Sequence, residues 1–160
     1  SVGKVDGFNC AVGSAGTLAG IAAYQRGQKA EVKIGIADPP GAALYEYYKN
    51  GELKSDGSSI TEGIGQGRIT ANLEGLDIDY PYHIPDAESL QAAFDLLKYE
   101  GLALGSSSGV NVAGAIRLAK DMGPGHTIVT ILCDGAAKYQ SKMFNRDFLE
   151  EKGLPVPDWL

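Results

Sequence analysis

The 160 residues carry 14 basic and 20 acidic side chains, a formal net charge of -6, with 44% hydrophobic and 21% charged positions. That balance suits a globular domain with a core of its own, and the absence of a run of like charge argues against a nucleic-acid footprint. No apolar stretch approaches the ~20 residues of a membrane span, and Ser1-Val2-Gly3-Lys4 opens no signal pattern, so a cytoplasmic protein with no membrane partner is expected.

Short β-rich apolar runs alternate with stretches of helical spacing, the pattern of βα units around a parallel twisted sheet flanked by helices, and the fold class is α/β. The first strand is expected over Gly7–Val12, followed through Gly13-Ser14-Ala15-Gly16 by a helix from about Thr17 to Arg26 that Gly27 stops. A second strand, Val32–Ala37, leads through Asp38-Pro39-Pro40 to a helix from about Ala42 to Lys49, closed by Asn50-Gly51. Residues 51–75 then turn to glycine, serine and threonine without period, and so long a loop in a compact domain is read as functional. A weaker strand, Tyr80–Ile84, precedes Asp86 as the N-cap of a third helix, whose Leu90, Ala93, Phe94 and Leu97 share one face before Gly101 ends it. Another weak strand, Leu102–Leu104, the turn Gly105–Gly109, a fourth helix from about Val110 to Met122 and a last strand, Thr127–Cys133, follow. Residues 154–160, with Pro155 and Pro157, form an extended C-terminal arm. Residues 1–160 read as one domain. With about six residues ahead of the first strand and no initiator methionine, the chain is expected to start inside that domain.

Cys10 and Cys133 each sit in an apolar run that reads as a buried strand, and are taken as small buried side chains rather than a disulfide or zinc pair. His83 and His126 are isolated, so no metal is expected. The turn Gly13–Thr17 joins a strand to a helix, so its backbone N–H groups and the helix dipole converge where an anion binds, with the Ser14 and Thr17 hydroxyls beside them. The same turn would also serve simply to pack a helix closely on a sheet. A dinucleotide site is the rival reading, with Asp38 as its ribose acid, but Gly13, Gly16 and Gly20 miss the G-x-G-x-x-G spacing. A P-loop is excluded because no glycine is followed by Lys-Ser or Lys-Thr. The second turn, Gly105–Gly109, also opens a helix. Together with the Glu62–Gly67 turn, the two suggest one ligand with two polar ends, against a serine cap with close-packing glycines.

The runs GSAGTLAG, SSITEGIGQG, ALGSSSGVNVAGA and LCDGAAKYQSKMFN, in this order and at these separations, resemble the C-terminal half of cysteine synthases and the catalytic core of cystathionine β-synthases. The resemblance covers essentially the whole chain and implies the larger C-terminal domain, incomplete, of a fold type II pyridoxal 5'-phosphate enzyme. It places the cofactor phosphate on Gly13, Ser14, Ala15, Gly16 and Thr17, the pyridine nitrogen at Ser107, and the substrate side of the ring at Gly63, Ile64 and Gly65. A serine at the nitrogen, in place of a carboxylate, leaves the ring a weaker electron sink, which suits replacement of a β-substituent. Ala15 stands where the family has glycine, and Asp134-Gly135-Ala136-Ala137-Lys138-Tyr139 departs from the family's Asp-x-Gly-x-Arg-Tyr. The activity implied is β-replacement on O-acetylserine with sulfide to give cysteine. The alternatives are cystathionine β-synthase, using serine and homocysteine, and a cofactor-binding or interaction fragment without turnover. No catalytic residue is expected in this chain, because the Schiff-base lysine and the loop that holds the substrate carboxylate belong to the family's N-terminal half. That half and a second copy of the enzyme, as a homodimer, are the implied partners, with an amino acid as substrate.

Overall fold

The structure, a computed structural model, describes residues 3–160, so the part of the N-terminal reading that rests on Ser1 and Val2 lies outside the described residues. Four parallel strands form one sheet in the order β3-β2-β1-β4: β1 is Gly7–Cys10, β2 Lys33–Asp38, β3 Tyr80–His83 and β4 Ile128–Thr130. The helices are α1 (Gly16–Gly27), α2 (Leu44–Asn50), α3 (Asp86–Glu100), α4 (Ser106–Met122) and α5 (Arg146–Glu151), with short 3-10 turns at Ala71–Leu73 and Ala136–Tyr139. Among the described residues no helix is long and apolar enough to cross a membrane.

The two central strands are covered on both faces, which is why their sequences run apolar rather than alternating. On one face Phe8, Cys10, Ile34 and Ile36 pack against Leu18 and Ala22 of α1 and Leu44 of α2. On the other, Ala37, Tyr82 and Ile84 meet Val110, Ala113 and Leu118, all from α4. Glycines let α4 come that close: a Cβ at Gly114 would stand 2.4 Å from Asn9 Nδ2 and one at Gly109 would stand 2.1 Å from the Ser89 carbonyl of α3. A third cluster joins Leu90 and Phe94 of α3 to Tyr139, Met143 and Leu149, and the tail lies on it, with the Trp159 ring edge-on to Phe94 at 5.6 Å.

The chain runs from β1 outward through β2 to β3 and then returns to place β4 on the other side of β1. Strands on either side of such a switch part at their carboxyl ends and leave a crevice, the usual place for a ligand in an α/β sheet. Asn111 of α4 fills the base of that crevice. Its Oδ1 accepts from the Ala11 amide at 2.6 Å, its Nδ2 donates to the Ile131 carbonyl at 2.8 Å, and its own carbonyl accepts from Asn9 Nδ2 at 3.2 Å.

Several elements differ from the sequence reading. β1 stops at Cys10 instead of Val12 because Asn111 takes the next amide. β4 is three residues long, because Asn111 and the Ser108 hydroxyl, which accepts from the Cys133 amide at 2.8 Å, draw the chain out of the ladder. Cys133 is accordingly exposed and outside any strand, whereas Cys10 is buried in β1. Leu102–Leu104 is no strand; Leu104 makes a single antiparallel bridge to Gly135. Helix α4 begins at Ser106, four residues before Val110, so the serine triplet is its first turn. Asp86 is the first helical residue and Pro85 the N-cap; the Asp86 carboxylate accepts instead from Ser59 Oγ and, at 2.8 Å, from the Ile60 amide, tying down the 51–75 loop. Helix α5 was outside the reading, although Asn145 caps it by accepting from the Phe148 amide at 3.2 Å.

Candidate functional site

Beyond β1 the chain enters α1 through one strained residue, Ala15, whose φ of 65° lies in the left-handed region. The Ser14 carbonyl ahead of it accepts from Thr70 Oγ1 at 3.0 Å and from Asn72 Nδ2 at 2.9 Å. The first amides of α1 have no carbonyl behind them, as at any helix start. Gly16 reaches only Ser14 Oγ at a long 3.4 Å, and no acidic side chain stands in the first turn. Ser14, Gly16 and Thr17 are exposed. Together these features leave the positive end of α1 open to an anion.

The Glu62–Gly65 turn lies against this cradle. The Gly65 amide donates to the Val12 carbonyl at 2.9 Å, and a Cβ at Gly13 would stand 3.1 Å from the Gly63 carbonyl. Gly63 and Ile64 then form one wall of a cavity of about 510 Å³ whose far wall includes Ser107 and Cys133. Of the serine triplet only Ser107 lines this cavity, since the Ser108 hydroxyl is engaged with Cys133. Of the site residues read from the sequence, Gly63, Ile64 and Ser107 line this cavity, whereas Gly13 to Thr17 and Gly65 lie beside it, joined to it through Gly63 and the Gly65–Val12 hydrogen bond. A larger cavity, about 680 Å³, lies between Leu97, Ala103, Ala137 and Phe144 and has no ionisable lining residue, unlike the smaller one.

Two carboxylates border the site, and each has its own lysine. Asp134 accepts from Tyr139 at 2.9 Å and pairs with Lys138; burial pushes its carboxyl up, but the hydrogen bonds from Lys138 and Tyr139 and the Lys138 charge outweigh this and hold it low. The hydrogen bond from Lys142 and its charge hold the Glu62 carboxyl below its ordinary range. These pairs cancel the acidic charge that would repel an anionic ligand. Lys138 is the one lysine lining the cavity among the described residues, and the hydrogen bond to Asp134 raises its pKa, so it is a held cation rather than a free amine.

Asp38, the acid of the dinucleotide alternative, is fully buried at the end of β2, where its Oδ2 accepts at 2.7 Å from the amide of Tyr45 in the first turn of α2. Burial raises its pKa to about 6 against the pull of the Tyr45 and Leu44 amides. A carboxylate used this way is not available to a ribose.

Sequence reasoning missed Thr70, Asn72, Asn111 and the lysine partners. Asn111 had a usable signal, since it stands four residues after Ser107 and so on the same helical face. Thr70 and Asn72 lie in an aperiodic stretch and had none.

The profile of a family described as "Pyridoxal-phosphate dependent enzyme" matches residues 1–134. Cysteine synthase 1 of Neurospora crassa is 46% identical over 165 aligned positions, which cover 99% of this chain and 44% of that protein. Cystathionine beta-synthase of Apis mellifera is 33% identical, over 97% of this chain and 30% of its own. The crystal structure of an O-acetylserine dependent cystathionine beta-synthase from Helicobacter pylori superposes with a TM-score of 0.76 at 34% identity, covering 86% of this chain and 43% of that one. The chain therefore spans less than half the length of the relatives it matches.

Proposed function

The chain belongs to the pyridoxal-phosphate dependent enzyme family, and from that premise we propose that it forms the cofactor-binding part of a cysteine synthase, one that replaces the acetate of O-acetylserine with sulfide to give cysteine. The observation that carries this is the place of Gly63, whose carbonyl lies against Gly13 of the α1 turn and which lines, with Ser107 of α4, the neighbouring cavity. The residues present fit pyridoxal phosphate. Open amides at an acid-free helix end suit the phosphate, a buried hydroxyl suits the ring nitrogen, and the cavity falls within the roughly 300–1,000 Å³ of small-molecule sites.

When bound, pyridoxal phosphate supplies the electron sink for loss and addition at the β-carbon of an amino acid. The amides of Gly13 to Thr17 hold its phosphate, with the exposed Thr17 hydroxyl beside them. Ser107 offers the ring nitrogen a neutral partner, which leaves that nitrogen without the full protonation a carboxylate would enforce. Gly63, Ile64 and Gly65 line the substrate side, the glycines keeping space for the amino acid. The proton-moving amine and the grip on the substrate carboxylate come from the N-terminal half of the whole protein, which acts in the cytoplasm as a homodimer. A cystathionine β-synthase, joining serine to homocysteine, is the second reading, favoured by the similarity to the cystathionine beta-synthase of Apis; the Helicobacter enzyme of that name is O-acetylserine dependent.

The test mixes the chain with pyridoxal phosphate, O-acetylserine and sulfide, alone and with the N-terminal half as a separate polypeptide, and repeats both with serine and homocysteine. Cysteine is expected only from the reconstituted mixture. Cystathionine as the main product selects the second reading, and cofactor bound without turnover in any mixture leaves a binding fragment. Equal cysteine formation by the chain alone would overturn the division of labour.

A further inference from the structure

We infer that Thr70 and Asn72 are positioning residues that aim the α1 turn at its anion, so that the 51–75 loop sets the affinity of the cradle without touching the ligand. The inference rests on the phosphate reading of that turn. A trans peptide is planar, so its carbonyl and the following N–H point in opposite directions. Thr70 Oγ1 and Asn72 Nδ2 converge on the Ser14 carbonyl from one side, at 3.0 and 2.9 Å, and thereby turn the Ala15 N–H toward the other. Without these two donors the Ser14 carbonyl is free to rotate, and a carbonyl on the open side would oppose a phosphate with its negative end.

The identity of residue 15 makes the clamp necessary. A glycine occupies the left-handed region freely, whereas alanine is pushed out of it by its Cβ. Ala15 holds φ 65° nonetheless, and the pair of donors on the preceding carbonyl is what opposes its relaxation. The clamp is itself anchored. Ile69 and Leu73, flanking Thr70 and Asn72, pack into the core cluster of Phe8 and Leu18, and Arg26 at the far end of α1 donates to the Gly75 carbonyl at 3.3 Å.

The test titrates the 160-residue chain with pyridoxal phosphate and with inorganic phosphate, reading affinity together with the ¹⁵N amide shifts of Gly16 and Thr17. Thr70→Val and Asn72→Leu each remove one donor at nearly constant shape, and both are expected to weaken binding by about three- to tenfold. Thr70→Ser keeps the hydroxyl and stays within about twofold of the unsubstituted chain. Adding Ala15→Gly to Asn72→Leu recovers most of the loss, which a merely structural role for Asn72 would not produce. Asn72 is exposed, so its replacement leaves the core in place, and melting curves check this. Unchanged affinity in Thr70→Val and Asn72→Leu would overturn the inference and leave the phosphate reading standing. An unsubstituted chain whose Gly16 and Thr17 amides respond to neither ligand removes both.

Discussion

Two helix starts in this molecule read almost alike as sequence and differ in use. At α1 the run Gly13–Thr17 is held from behind through the Ser14 carbonyl, and its leading amides face outward. At α4 the run Gly105–Gly109 is pressed inward: Ser106, Ser107 and Ser108 are buried, and a Cβ at Gly105 would stand 2.4 Å from the Tyr139 ring. A third start, at α2, is answered from within by the Asp38 carboxylate. What lies opposite a helix's first amides decides whether they stay open, are pressed inward or are met by a side chain of the preceding strand, and local sequence does not encode that.

The same substitution made at the first two starts separates them most strongly. Gly109→Ala drives a methyl against the Ser89 carbonyl, a backbone atom that cannot step aside, and should cost about 3 kcal/mol or more as α3 and α4 are forced apart. At Gly16 the nearest atom to a new Cβ is Ser14 Oγ at 3.5 Å, so Gly16→Ala should change stability by less than about 1 kcal/mol. Urea unfolding of both variants checks the pair. Equal losses would mean that the α1 start is packed as tightly as the α4 start.

The α2 start should reveal itself through pH. The folded pKa of Asp38, about 6, lies above its ordinary 3.8, so its stabilising contribution is complete below pH 3.8 and is lost as pH rises through 6. The loss by pH 7 amounts to at most about 3 kcal/mol. Asp6, Glu62 and Asp134 have lowered pKa values and act oppositely, losing stability as pH falls below their ordinary range. Thermal melts from pH 4 to 7 should show a declining contribution in the unsubstituted chain that is missing from Asp38→Asn. Parallel profiles would place the carboxylate in contact with solvent.

The smallest expected effect is at the cradle's own alanine. In Ala15→Gly, relief of the left-handed conformation, ~1–2 kcal/mol, is offset by the loss of a buried methyl, ~0.8 kcal/mol, and by the extra freedom of glycine in the unfolded chain, ~0.4–1 kcal/mol. A net change within about 0.8 kcal/mol of zero is expected from chemical denaturation. A clear stabilisation would show that Ala15 is more strained than its φ suggests.

Much of this was legible before any coordinates. The doubly covered strands β1 and β2 announce themselves as continuous apolar runs, and the helices α1 and α3 by spacing and stop signals. The register of small residues that resembles a pyridoxal-phosphate enzyme pointed to Gly13–Thr17, Gly63–Gly65 and Ser107; the fold sets Gly13 against Gly63, and Gly63 and Ile64 across a cavity from Ser107. What failed depended on partners far away in sequence. β4 is short because Asn111 and Ser108, some 20 to 25 residues earlier, claim its last backbone groups. Asp86 left its cap because Ser59 and Ile60 offered it donors. Thr70 and Asn72 have no meaning until the fold sets them beside Ser14.

Asn111 has one more consequence, for motion. One side-chain amide closes the space between the exits of β1 and β4 and is itself fully enclosed. Widening the crevice at its base would break those hydrogen bonds together and strand polar groups in the core, so that end of the site opens only with the domain as a whole. Residues 52–70 contain no helix or strand and cost far less to rearrange. Any adjustment to a ligand would therefore fall to the short Glu62–Gly65 stretch, between the Asp86 tie at Ser59–Ile60 and the Thr70 clamp, while the sheet side acts as a fixed gauge.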